Sequence, residues 1–243
     1  MRKIVLFLAL CFFILGFSSC DEGRIEVKRS TISNEGRIAR LIANVSGVDN
    51  WPSGSGYSVV IAGYGDDSQY AIVTRSLPMG LEEGADIDIT MSGVTDDVTS
   101  LRLCIINRLR ECVATFYELG SDELSSASDT IRMEAGTVNL GMYSTIQNQI
   151  FDTKCISCHG STGSAARGLF LTDGESYNAL VNQYSRVETD MLLVSPGNVS
   201  ESFLYNVLNE EGATSMSHID LFSEDEQLQI TLIDDWIEYG ADE

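Results

Sequence analysis

Histidine and positive charge are both scarce in this sequence. Two histidines occur among 243 residues, and the first half of the chain contains neither of them. The 15 lysines and arginines are outnumbered by 36 aspartates and glutamates, which gives a formal net charge of −21. Such a surface repels nucleic acid and anionic membrane surfaces, and it favours protein partners that carry a basic docking patch. The first half also lacks a paired nucleophile and base, so it gives no indication of a hydrolytic site.

Long apolar runs are lacking too, apart from one at the N-terminus. Arg2 and Lys3 precede the apolar run 4–17, which has about 14 residues, whereas a helix needs about 20 to cross a bilayer. The run is therefore interpreted as a signal peptide. Small residues directly before Cys20 resemble a bacterial lipoprotein signal, in which the peptide, here 1–19, is removed and the cysteine is lipidated.

The alternative is an ordinary secretory signal, with Cys20 left as a free thiol. Both interpretations place the mature protein outside the cytoplasm. The lipoprotein interpretation predicts a protein of the bacterial cell envelope, anchored to the inner or outer membrane and facing the periplasm or the cell surface. The charged residues 20–29 are then expected to act as a tether.

Residues 30–140 have the pattern of a β-sandwich. Short runs rich in β-branched residues alternate with Gly, Asp, Asn and Ser. Seven strands at this spacing predict an all-β, immunoglobulin-like sandwich. The predicted strands are 37–45, 57–64, 70–76, 86–91, 100–106, 111–119 and 130–133.

Cys104 and Cys112 lie on two consecutive predicted strands, joined by residues 107–109. A three-residue loop would pair residue 106 with residue 110, and therefore Cys104 with Cys112. Cross-strand neighbours are close enough for a disulfide, and an exported protein can form one. A disulfide is predicted here, and the alternative is a pair of buried free thiols.

From residue 141 to residue 243 the pattern becomes helical, which predicts a second, all-α domain. The last helix has the clearest signals, because Ser223 and Glu226 form a capping box and isoleucines recur on one face behind it. The other predicted helices are 144–153, 177–184 and 201–208.

The second domain contains the run Cys155-Ile156-Ser157-Cys158-His159. Two thiols at this spacing can add to the vinyl groups of a haem, and the adjacent histidine can ligate the iron. One covalently bound haem c is therefore predicted, with Cys155 and Cys158 as the attachment points and His159 as the proximal ligand.

A zinc site, a redox-active pair and a structural disulfide are the alternatives for this run. A zinc site needs four ligands, and His218 is the one other histidine, without a spare cysteine pair nearby. A thioredoxin-like pair would follow a strand in a βαβ pattern, which is absent from the sequence pattern. A structural disulfide between Cys155 and Cys158 would leave His159 without a role.

The distal ligand is expected from the loop before the last helix. Met216 is the preferred candidate, because a thioether ligand suits an electron-transfer protein of high potential. His218 is the alternative, and it would give a bis-histidine iron of lower potential. Met191 is a weaker candidate, and an open coordination site is a further possibility. Arg167 is a candidate partner for a haem propionate, and the alternative is a solvated surface arginine.

Residues 143–242 resemble the short monohaem cytochrome c domains, in particular those of planctomycete-type secreted proteins. In this family a methionine loop holds the distal ligand, so the resemblance assigns that role to Met216. The family commonly has proline after this methionine, whereas this chain has Ser217, and His218 therefore stays a rival. The matching segments are 150–160, 168–171, 194–198, 202–205, 223–226 and 236–241.

The sequence as a whole predicts a lipid-anchored monohaem cytochrome that carries electrons between redox partner proteins, and not an enzyme. One alternative is a haem enzyme or sensor with a displaceable distal ligand, such as a peroxidase-like or gas-binding protein. The other is a surface binding module in which the haem is accessory.

Overall fold

The computed structural model describes residues 36–66, 68–127, 129–160 and 165–243. The predicted signal peptide 1–19, the lipidation site Cys20 and the tether 20–29 lie outside these ranges. Within them, no helix has the length and apolar character needed to cross a membrane.

The seven predicted strands are confirmed, and they form two sheets. In one sheet β1 lies between β4 and β7, antiparallel to β4 and parallel to β7. The other sheet is antiparallel with the order β3-β2-β5-β6. The strands are β1 (Arg37–Ser46), β2 (Ser58–Tyr64), β3 (Val73–Ser76), β4 (Ala85–Val94), β5 (Ser100–Ile106), β6 (Cys112–Leu119) and β7 (Thr130–Asn139).

The side-chain period of two explains how these strands bury their residues. In β1, Ala39, Leu41, Ala43 and Val45 are buried while their neighbours are more exposed, so one face of the strand covers the core. In contrast, six consecutive residues of β2 are buried, which means that both faces of this strand are covered.

The helical elements are short except for the last one. A π-helix, Gln147–Cys155, follows α2 directly and continues into α3, so these three elements form one continuous helical rod. The α-helices are α1 (Ser121–Ser126), α2 (Met142–Ile146), α3 (Ile156–His159), α4 (Ser176–Leu180), α5 (Phe203–Asn209) and α6 (Gln227–Glu238). The 3₁₀ turns are Ala166–Gly168, Val199–Glu201, Ile219–Leu221 and Glu224–Glu226.

The predicted fold class, an all-β sandwich followed by an all-α domain, is wrong. The chain is mixed α/β, with about 31% strand and 30% helix. Extended segments run through the C-terminal region, where Val181 pairs with Val194 and Leu192 pairs with both Tyr184 and Ser202. Helices of four to seven residues, such as α3 and α5, are too short to be stable by themselves. They are therefore stabilised by packing against strands and irregular segments, and not by packing against other helices alone.

One hydrophobic core extends through both regions. It includes Leu103 and Met133 from strands, together with Ile146, Phe151 and Trp236 from the helical elements. The predicted domains 30–140 and 141–243 therefore share buried residues, and the boundary between them stays a prediction.

Hydrogen bonds also join the two regions. The Tyr57 hydroxyl donates to Asp235 Oδ2 at 2.6 Å, and Gln149 Nε2 donates to the carbonyl oxygen of Thr115 at 2.8 Å. The first bond connects the start of the second sheet with α6, and the second connects β6 with the π-helix.

The predicted pairing of Cys104 with Cys112 is wrong. Asn107 Oδ1 accepts hydrogen bonds from the amides of Leu109 and Glu111, both at 3.0 Å, which produces a loop of 107–111 instead of 107–109. The longer loop places Cys112 opposite Ile106, and a register shift between Ile105 and Ile106 then places Cys104 opposite Thr115. Both cysteines carry free thiols, and the predicted disulfide is not formed in this structure.

Candidate haem site

The helical rod made of α2, the π-helix and α3 places the residues of the Cys-x-x-Cys-His run. Ile150 and Phe151, one turn before the first cysteine, are each 1% exposed and anchor the rod in the core. The last residues of the rod are less buried: Cys155 and His159 are half-buried, and Cys158 is exposed. The rod therefore ends at the protein surface with both thiols and the imidazole accessible.

Lys154 ties this rod to the loop that precedes α6. Its Nζ donates to the carbonyl oxygen of Leu221 at 3.2 Å and to Glu226 Oε1 at 2.8 Å. Glu226 also completes the predicted capping box, since its carboxylate accepts from the amide and the hydroxyl of Ser223 at 3.0 Å. These bonds hold the pKa of Glu226 down at about 2, chiefly through Lys154. The contact brings the loop 211–222 to the end of the rod.

A cavity of about 480 Å³ lies between the rod and this loop. Cys155, Cys158 and His159 line one side, and Met216 and His218 also line it. The structure thus brings together all five residues that were predicted to hold the haem. Most of the remaining lining is apolar, and it includes Leu180, Leu193, Phe203, Leu204, Phe222 and Ile233.

The two histidines face the same space. Their ring centres are 6.3 Å apart, and the ring planes are inclined by 30°. His159 Nδ1 lies 3.2 Å from the carbonyl oxygen of Leu169, and His218 Nδ1 lies 3.1 Å from the carbonyl oxygen of Met216. Because a carbonyl oxygen only accepts, each Nδ1 donates the proton and each Nε2 keeps a free lone pair.

Burial favours the neutral form of the His159 imidazole over its charged form. It lowers the pKa of His159, and the nearby His218 acts in the same direction, while the hydrogen bond to Leu169 acts against them. Neutral imidazole is the form that ligates a metal.

The Met216 side chain is 48% exposed, although it lines the cavity. It belongs to a stretch of mostly exposed residues, 209–217. His218 is half-buried, and Thr214 Oγ1 lies 3.2 Å from its Nδ1, so a second group orients its ring. Of the two predicted distal candidates, His218 is the better positioned.

The two thiols of the run are free and differ in their surroundings. Burial raises the pKa of Cys155 to about 11, so this thiol stays protonated at neutral pH. Cys158 is exposed, and the Ser157 hydroxyl lies 3.9 Å from its sulfur. Both sulfurs border the same cavity, where they are available to a ligand that enters it.

Arginines occupy the rim of the cavity. Arg167, the candidate propionate partner, lines the cavity with a left-handed backbone, φ 55°. Arg186 lines it as well, and its Nη1 donates to the carbonyl oxygen of Arg167 at 2.8 Å. Sequence reasoning missed Arg186, which lies 19 positions away and has no motif around it. In a chain of charge −21, two guanidinium groups at one rim favour a ligand with carboxylates.

The aromatic residues Phe203 and Trp236 have different surroundings. Phe203 lines the cavity, whereas Trp236 is buried elsewhere and donates from Nε1 to the carbonyl oxygen of Asp242 at 2.7 Å. In the parts of the chain that the structure describes, no group of three or more His, Cys, Asp and Glu side chains could hold a metal ion. A zinc site at this run therefore gains no support from these residues.

Comparison with protein-family models, curated proteins and solved structures yields no match for this chain. The resemblance to monohaem cytochrome c domains therefore rests on the sequence motifs and stays a prediction.

Proposed function

We propose that this protein is an exported, lipid-anchored c-type cytochrome with one haem, which carries electrons between redox partners. The observation that carries the proposal is the cavity: Cys155, Cys158 and His159 border it together with His218 and Met216. A haem c site requires two thiols and one imidazole on the same apolar cavity, and these residues fit that requirement.

Each group in the cavity has a role toward such a haem. The thiols of Cys155 and Cys158 would attach it, and His159 Nε2 would ligate the iron, with Leu169 fixing the orientation of the imidazole. Arg167 and Arg186 would hold the two propionates at the rim. Phe203, Leu180 and the other apolar side chains exclude water from the cavity. When bound, the haem supplies a one-electron ferrous/ferric couple.

His218 is the distal ligand that the geometry supports best. The ring centres of His159 and His218 are 6.3 Å apart beside one cavity, and each ring keeps Nε2 free, so both imidazoles could ligate an iron held there. Met216, the ligand expected from the sequence, is the alternative, and its side chain is more exposed, at 48%.

The test is an optical and mass-spectrometric study of protein made together with a cytochrome c maturation system. We expect one covalent haem in the wild type and none in Cys155→Ala/Cys158→Ala. We also expect a low-spin spectrum without an iron–thioether charge-transfer band. Met216→Ala should leave this spectrum unchanged, whereas His218→Ala should convert it to high-spin or shift it to another ligand.

A thioether band that disappears in Met216→Ala would make Met216 the distal ligand instead. Absence of covalent haem in the wild type would overturn the proposed function. Rapid binding of carbon monoxide to the reduced wild type would favour the second candidate, a haem enzyme or sensor. The exposure of the stretch around Met216 is the observation that favours this second candidate.

The charge of the chain and its N-terminus bear on partners and location. A net charge of −21 suits redox partners with a basic docking patch, so the rate of electron transfer to them should fall as salt increases.

Lipidation at Cys20 would keep the protein at a membrane of the cell envelope. Replacement of Cys20 by alanine should then release the protein from the membrane fraction. Should the full chain instead bind a surface glycan or protein without any effect on its haem, the accessory-haem alternative would be preferred.

A further inference from the structure

The outer face of the second sheet carries a small apolar cluster that is separate from the main core. Val60, Ala62 and Tyr64 of β2 contribute to it, together with Cys104 and Ile106 of β5. Cys112, the first residue of β6, packs against the cluster from its edge. Both thiols of the strand pair therefore lie on this face, away from the haem cavity.

Polar groups surround the two thiols. The Tyr64 hydroxyl lies 3.7 Å from Cys104 Sγ, and the Thr115 hydroxyl lies 3.2 Å from Cys112 Sγ. The Arg102 guanidinium stacks 4.7 Å above the Tyr64 ring, and its Nε donates to Glu118 at 2.9 Å. Arg102 thus places a positive charge beside the cluster.

The two cysteines differ in exposure. Cys104 is 0% exposed, whereas Cys112 is partly accessible at the end of the 107–111 loop. A partner molecule can therefore reach Cys112 first, and Cys104 lies behind it.

The register places the two thiols close together. Cys112 is opposite Ile106, two residues from Cys104, so the cysteines are diagonal neighbours. A hydrogen bond joins the two thiols, so a disulfide can form between them without an intervening group.

We propose that Cys104 and Cys112 form a redox-active pair that exchanges with disulfides of other molecules, with Cys112 as the attacking thiol and Cys104 as the resolving thiol. The Cys112 thiolate attacks one sulfur of the incoming disulfide, forms a mixed disulfide and releases the first thiolate. Cys104 then attacks Cys112 Sγ while its proton passes to the departing sulfur, which forms the Cys104–Cys112 bond and releases the second thiol. One disulfide is reduced to two thiols, and this pair is oxidised by two electrons.

The electrostatics of the cluster agree with these roles. The hydrogen bond with Cys104 lowers the pKa of Cys112 to about 6, and Thr115 and Arg102 act in the same direction, against burial. The same hydrogen bond and burial raise the pKa of Cys104. At neutral pH Cys112 is therefore the thiolate, and Cys104 remains the protonated partner.

The pair is also connected to the helical rod. Thr115, whose hydroxyl contacts Cys112, accepts the hydrogen bond of Gln149 through its carbonyl oxygen. Gln149 belongs to the π-helix that ends at Cys155. The exchange chemistry itself does not depend on a bound haem.

The test uses the full chain in buffers of reduced and oxidised glutathione, followed by differential alkylation and peptide mass spectrometry that resolves each cysteine. We expect the pair to become a disulfide with oxidised glutathione and to be reduced again by millimolar reduced glutathione. Cys104→Ala should accumulate a glutathione adduct on Cys112. Cys112→Ala should form none on Cys104.

Arg102→Gln provides a variant that leaves both thiols in place. It should slow the reaction of Cys112 with oxidised glutathione roughly two- to tenfold at neutral pH, because the thiolate loses a neighbouring positive charge. A bond that persists in millimolar reduced glutathione would make the pair a structural disulfide and overturn the proposal. So would a glutathione adduct that forms equally on Cys104. A protein that binds no haem would give the same results in this test. Failure of the proposed function can therefore be told apart from failure of the redox-pair proposal.

Discussion

At the scale of the residue, the surroundings of a cysteine or histidine side chain determine its protonation state and therefore the reactions open to it. Burial keeps the Cys155 thiol protonated, while the hydrogen bond with Cys104, together with Thr115 and Arg102, favours the thiolate of Cys112. The two thiols are therefore suited to different reactions in one chain. Similarly, His159 and His218 each donate a hydrogen bond from Nδ1 to a backbone carbonyl oxygen, so Nε2 is available to bind a ligand.

Asp234 provides a prediction at this scale. Burial raises the pKa of Asp234 to about 6, the charge of Asp235 adds to this, and the hydrogen bond from Asn209 opposes it. Because this pKa exceeds the ordinary value of 3.8, the associated stability is fully present below about pH 4 and is lost as pH rises through 6. Asp234→Asn should therefore increase the free energy of unfolding at pH 7 by about 1–2 kcal/mol, and hardly change it at pH 4.

The measurement is urea denaturation of wild type and variant at both pH values. Glu238→Gln is the matched control, because it removes one exposed charge from the same helix. An equal gain in both variants would indicate relief of general charge repulsion instead of an effect of burial. A gain that is the same at pH 4 and pH 7 would contradict the prediction.

At the scale of the element, sequence patterns locate the strands and the last helix well. Alternating burial in β1 and the capping box at Ser223 are local features, and each is visible within a few residues. The π-helix Gln147–Cys155 has no such signal, since the same residues suit an α-helix. The lengthened 107–111 loop depends on Asn107 accepting two amides, which the three-residue interpretation of the hairpin overlooked.

Helix α6 provides the second prediction. Ile237 is 0% exposed and lies in the shared core, outside the lining of the cavity that is proposed to hold haem. Ile237→Ala should lower the free energy of unfolding by about 2–5 kcal/mol, because it removes buried methyl groups and leaves a cavity. Thr231→Ala, an exposed position on the same helix, should change it by less than about 0.5 kcal/mol.

Chemical denaturation followed by circular dichroism measures both variants. A cost below about 1 kcal/mol for Ile237→Ala would mean that α6 contributes little to the common core.

At the scale of the whole molecule, the sequence predicted the candidate site better than the fold class. Cys155, Cys158 and His159 are adjacent in the chain, so their chemistry can be identified without the fold. Arg186 reaches the cavity only through tertiary structure, and the mixed α/β organisation depends on which short elements share buried surface. The pattern of each region alone suggested two separate domains.

The shared core leads to a third prediction. Residues 36–243 should unfold in one cooperative transition, because strands and helices bury the same apolar cluster. Denaturation should give coincident midpoints for far-ultraviolet circular dichroism and tryptophan fluorescence, and also for the absorbance of the proposed haem in protein that carries it. Two separate midpoints would show that the predicted domains 30–140 and 141–243 fold independently.

The position of β1 in its sheet sets the order in which the chain can fold. Its parallel partner, β7, joins it about 90 residues later in the chain, with Ile38 opposite Thr130. The sheet stays incomplete, with an open edge on β1, until residue 139 is available. Pairings over such a sequence distance slow folding, so we expect a protein that reaches its final structure late, after the whole first region has been made.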